Sequence, residues 1–104
     1  MHLQAKKHLH QLYLVMNELD LWQTVPPAAE AFQSTEPFAI DTMTAAQWLQ
    51  WIFIPRMHAL IESNGELPSQ IAISPYIEEA LKELDGLPRL LSPIISIEAL
   101  LKRQ

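Results

Sequence analysis

The chain has 104 residues, 12 acidic and 7 basic side chains, a formal net charge of −5, no cysteine, two glycines and eight prolines. So few glycines exclude a glycine-rich phosphate loop, a dinucleotide fingerprint and a Gly-x-Ser-x-Gly nucleophile elbow, and the lack of cysteine excludes disulfides, thiolate metal sites and a cysteine nucleophile. With 49% hydrophobic and 18% charged residues the composition is that of one globular domain over residues 1–104, and its acidic balance opposes duplex DNA as a ligand.

The first segment predicts a helix from Leu3 to Trp22. Ala5, Leu9, Leu12, Met16 and Leu19 recur at spacings of four and three, which places them on one face. Asn17, Glu18 and Asp20 interrupt the apolar residues, so this is not expected to be a signal peptide. No run reaches the ~18 apolar residues needed to span a bilayer, and a cytoplasmic protein is the expectation. Pro26-Pro27 ends helical continuation, and Trp22 is expected to pack on that turn.

From Gln23 to Met43 the sequence lacks periodicity. Such long connections inside a domain are usually functional or disordered. Burying an aromatic or large aliphatic side chain contributes roughly 1.5–3 kcal/mol, so Phe32, Phe38 and Ile40 predict an ordered strap pinned across the helices. The second helix should begin at Thr44, where Thr44 and Gln47 fit a capping box, and run to Ser63 with Asn64-Gly65 as its left-handed stop. Pro55 lies inside it and predicts a kink.

Ser74-Pro75 predicts a third helix capped by the serine, with Ile77, Ala80, Leu81 and Leu84 inward and a Glu78–Lys82 pair outside. Asp85-Gly86 stops it. Ser92-Pro93 repeats the start signal for a final helix to Arg103, with Ile94, Ile97 and Leu101 inward. No strand-like alternation occurs. The expected fold is all-α: a four-helix bundle with a long ordered connection between helices 1 and 2 and a proline-kinked helix 2.

That second helix is apolar on two sides. Trp48, Leu49, Ile52, Phe53, Ala59 and Leu60 form a core face, and Gln47, Trp51, Ile54 and His58 form another stripe. Such a helix is either central in its fold or meets a partner. The runs Ser34-Thr35-Glu36-Pro37-Phe38, Asp41-Thr42-Met43, Trp48-Leu49-Gln50-Trp51 and Ile54-Pro55-Arg56-Met57-His58, with Pro75-Tyr76, resemble the signature of the YqcC-like family. The resemblance implies a small bacterial all-α domain of four helices. It also implies a link to RNA modification, because family genes often neighbour one for a tRNA pseudouridine synthase.

No pattern in the chain supplies chemistry. His2, His8, His10 and His58 have no partner at metal-ligand spacing, so no metal site is expected. Ser34, Ser74 and Ser92 read as turn and cap residues, and the carboxylates of the second half as a solvated face. No catalytic residue and no cofactor is expected. Asp41, Arg56 and His58 could gather at Pro55, either as a network fixing the strap or as an anion or peptide-carboxylate pocket with Arg56 as bidentate donor. Phe38, Asp41, Trp51, Ile54, Arg56 and His58 are therefore the candidate binding residues. They point to a protein-interaction module that meets another protein, or a second copy as a homodimer through Trp51 and Ile54. An accessory to tRNA modification and a small-anion-binding protein are the alternatives. RNA is weakly supported as a partner, because only Arg56 stands near Trp51, and no membrane partner is expected.

Overall fold

The periodicity of the amino-terminal segment is realised as helix α1, His2–Glu18, which buries Ala5, Leu9, Leu12, Val15 and Met16. In this computed structural model, which describes residues 2–69 and 71–102, α1 stops short of the expected end at Trp22. Asp20 takes a left-handed φ of 60°, and the Leu21 N–H returns to the Met16 carbonyl at 2.8 Å, which closes the helix as a Schellman-type cap. Trp22 is thereby turned back onto Tyr13, met edge-on with ring centroids 4.8 Å apart, a contact that the expected packing on Pro26-Pro27 did not anticipate.

Residues 23–43 form the strap, with two short 3-10 turns at Ala29–Gln33 and Pro37–Ala39. Phe38 and Ala39 hold left-handed φ angles of 59° and 48°, a region that side chains disfavour. The resulting turn stacks Phe38 on Tyr76, with centroids 4.2 Å apart and planes 9° from parallel, and sets it edge-on to Trp48 at 5.0 Å. Ala39 and Met43 are buried. Phe38 is the only expected pin that holds: Phe32 is 43% exposed and Ile40 60%. Polar bonds replace them. Ser34 Oγ donates to Asp41 Oδ1, and Thr42 Oγ1 donates to the Ala31 carbonyl at 2.8 Å.

Helix α2 covers residues 45–62, and Thr44 caps it through the expected capping box. The Thr44 hydroxyl accepts the Gln47 N–H at 3.1 Å while Gln47 Oε1 accepts the Thr44 N–H at 2.9 Å. Ala45–Trp48 is α-helical, Leu49–Phe53 is π-helical, and Ile54–Glu62 is α-helical again. Pro55 has no N–H to donate, and the break it was expected to cause takes the form of this π turn, in which the Ile54 N–H reaches back to the Leu49 carbonyl. One extra residue in a turn rotates everything after it by roughly 100° against a straight α-helical projection. Ala59, expected inside, is therefore exposed, while Ile54 and Met57 are buried; Ile52 and Leu60 are half-buried. Asn64, at φ 56°, ends the helix as expected, with the Gly65 N–H on the Leu60 carbonyl at 2.7 Å.

Helices α3, Ser74–Ala80, and α4, Leu87–Lys102, depart furthest from expectation. Ser74 does not cap α3. Glu98 of α4, itself 8% exposed, does so: its Oε2 accepts the Ile73 N–H at 2.7 Å and the Ser74 N–H at 2.9 Å. Ile77 is buried but Ala80 is exposed, and Lys82 pairs with Glu79 at 3.4 Å instead of Glu78. Helix α4 begins at Leu87-Pro88, after Gly86 at φ 87°, and Pro93 lies inside it. An interior proline costs about 3 kcal/mol, and complete burial of Leu90 upstream, with Ile94, Ile97 and Leu101 beyond, offsets it at roughly 1.5–3 kcal/mol per side chain. The expected last residue of this helix, Arg103, lies outside the described residues.

Helices α1 and α4 form the most extensive pairing, α4 also packs on α3, and the later half of α2 packs on α1. Glu18 and Arg89 form an ion pair across α1 and α4. The described residues contain no strand, and none of their helices is long and apolar enough to cross a membrane. Removing the buried cap should be costly: Glu98→Ala leaves two N–H groups without partners and is expected to lower unfolding stability by roughly 1–3 kcal/mol in urea titration. An unchanged midpoint would show that Glu98 does not hold α3.

Candidate functional site

Side chains of α2 line two grooves, although Ala59 of the expected core face is exposed and Ile54 of the other stripe is buried. The first groove, of about 760 Å³, lies between α2 and α1. Trp51, Ile54 and His58 line it from α2, Lys6 and Tyr13 from α1, and Trp22 from the turn after α1. Gln50 fixes its edge. This buried side chain accepts the Gln23 N–H through Oε1 at 2.8 Å and donates to the Gln23 carbonyl through Nε2 at 2.7 Å, clamping the start of the strap to α2. Trp51 Nε1 is buried without a hydrogen-bond partner among the described residues. A buried donor left unpaired costs about 1–3 kcal/mol, so this indole is a strained point in the groove wall.

The second groove, of about 550 Å³, holds Phe38, Trp48, Phe53, Arg56 and Glu66 among its lining residues. Its aromatic wall is continuous: Phe38 meets Trp48, and Trp48 stacks on Phe53 with centroids 5.6 Å apart. Burial of Tyr76, which stacks on Phe38, pushes its phenol above the ordinary tyrosine value. Asp41 lines neither groove and is bonded to Ser34 on the exposed strap.

The expected cluster of Asp41, Arg56 and His58 is therefore divided among three places. The left-handed turn at Phe38 and Ala39 carries the strap so that Asp41 points to Ser34, and Arg56 and His58, two residues apart in the α-helical Ile54–Glu62 stretch, point roughly 200° away from each other. Phe38 and Arg56 share one groove; Trp51, Ile54 and His58 share the other. Among the described residues, no group of three His, Cys, Asp or Glu side chains is placed to hold a metal ion. The sequence reading missed Gln50. Its only signal is an uncharged polar residue set between Leu49 and Trp51 in an otherwise apolar run.

A family, DUF446, described as "tRNA pseudouridine synthase C", matches residues 4–100. A Haemophilus influenzae protein named only as uncharacterised is 63% identical over 97 residues, 93% of this chain and 92% of that protein. YqcC of Escherichia coli K12 is 40% identical over 80 residues, 77% of this chain and 73% of that protein. The chain belongs to the YqcC-like family. The solution NMR structure of Escherichia coli YqcC shares its all-α fold, with a TM-score of 0.85 at 35% identity over 96% of this chain and 86% of that one. A Pectobacterium carotovorum protein named tRNA pseudouridine synthase C is 51% identical over 65 residues, which are 62% of this chain but 17% of that protein.

Trp51 separates packing from polar cost in this YqcC-like groove. Trp51→Phe keeps an aromatic ring and removes the unpaired donor, so lost ring area and relieved desolvation should cancel to within about 1 kcal/mol in urea unfolding. A loss above about 2 kcal/mol would show that lost ring packing outweighs the cost of the unpaired donor.

Proposed function

We propose that this YqcC-like chain is a non-catalytic protein-interaction module whose partner is a tRNA pseudouridine synthase. The observation that carries the reading is the Pectobacterium carotovorum relative, in which the matched segment is 17% of a protein of that name. A YqcC-like segment and a much longer remainder share one polypeptide there. Joining two modules in one chain gives each an effective concentration near the millimolar range, whereas modules on separate chains need a docking surface.

The geometry supports docking over catalysis. Both grooves are walled largely by aromatic and aliphatic side chains; Asp41, Arg56 and His58 lie in separate places, while Lys6, His10 and His58 line the first groove with no carboxylate among its lining residues. Acid–base chemistry needs such groups to converge on one reacting atom. The net charge of −5 opposes a direct hold on tRNA phosphates, which favours contact with the enzyme over contact with its substrate.

Size-exclusion chromatography of the purified chain with the tRNA pseudouridine synthase of the same organism tests the reading. Co-elution as a defined complex at low salt is expected, while the chain alone isomerises no uridine in tRNA. Separate elution of the two proteins, or uridine isomerisation by the chain alone, would contradict it.

A further inference from the structure

We infer that the strap is the face that docks on the synthase, and that it fits a basic surface interleaved with apolar side chains. The inference rests on the partner proposed above and names the chemistry of the contact. Three large apolar side chains stand in solvent along the strap: Val25 at 72% exposure, Phe32 at 43% and Ile40 at 60%. Glu30, Glu36 and Asp41 are exposed on the same segment, and the sequence has no lysine or arginine between Lys7 and Arg56. The strap thus presents apolar and anionic groups together, with no strap cation to neutralise them.

This face is also held in place before any partner arrives. Phe38 anchors it in the aromatic cluster, the Ser34–Asp41 and Thr42–Ala31 bonds tie its two turns, and the Thr44–Gln47 box fixes its end. Binding through a preformed face does not have to order it, which lowers the entropic cost of association. An enzyme that grips tRNA must carry lysine and arginine against the phosphates, and an acidic face complements such a surface. The two grooves are poorer candidates for that contact, because Lys6 is the charged residue of one and Arg56 is set against a single Glu66 in the other, so neither lining is acidic overall. A second copy also fits badly: pairing two straps would set like charges against each other at a symmetric contact.

The test measures affinity of the full chain for the purified synthase by biolayer interferometry at 50 and 300 mM NaCl. Two double variants are compared with the wild type, Glu30→Lys with Glu36→Lys, and Phe32→Ser with Ile40→Ser. All four side chains are exposed, and circular dichroism checks that the helices remain. The wild type should bind about tenfold more weakly at the higher salt. The charge variant should weaken binding about tenfold at 50 mM and lose most of the salt dependence, and the apolar variant should weaken it about tenfold at both salts. A complex that both variants leave unchanged overturns the strap as docking face and leaves the proposed partner standing. No wild-type complex at 50 mM overturns both. Self-association lost in the strap variants, with no synthase complex, assigns the face to a second copy and overturns the inference.

Discussion

Phe38 is the side chain through which the strap is tied to the helices. Its ring lies flat on Tyr76 and edge-on to Trp48, so one residue joins the strap to α3 and α2 at once. To reach that position the backbone adopts left-handed φ at both Phe38 and Ala39, at a cost of about 1–3 kcal/mol each. Burial of a phenylalanine contributes roughly 1.5–3 kcal/mol, and each aromatic pair adds about 0.5–1.5 kcal/mol. The two sides are of similar size. Burial of Ala39 and Met43 and the Thr42 bond to Ala31 then weight the balance toward the held strap.

The second constraint is the π turn of α2. Because Pro55 cannot donate a hydrogen bond, the helix takes up an extra residue before it and turns Ile54 and Met57 inward. Trp51 and His58 then line one groove while Arg56 and Met57 line the other. Helix α2 is thus a wall shared by two grooves, and the Gln50–Gln23 clamp holds the strap's beginning against that wall.

Signals whose chemistry is local were legible in the sequence. The Thr44–Gln47 box, the Asn64-Gly65 stop and the buried stripe of α1 each involve residues within a turn or two of one another, and each is present. Features that depend on distant partners were not. Glu98 caps α3 from α4, so nothing near Ser74 announced that the serine would be relieved of that role. Pro93 sits inside α4 because burial of Leu90 before it outweighs a lost hydrogen bond, a balance set by tertiary packing. The candidate site was legible as a two-faced helix and an aromatic strap. The two-residue spacing of Arg56 and His58 on a helix already set them apart, but the placing of Asp41 was not legible, since the left-handed turn at Phe38 and Ala39 carries no glycine to mark it.

The central claim is that the Phe38 anchor keeps the second half of the strap folded against the helices. Hydrogen–deuterium exchange of the Phe38→Ala variant tests it most directly. The account predicts that the amides of Ala39, Ile40, Thr42 and Met43, bonded back into the strap, lose protection and exchange close to the open-chain rate, while those of α1 and α4 stay protected. Strap amides as protected in the variant as in the wild type would contradict the claim.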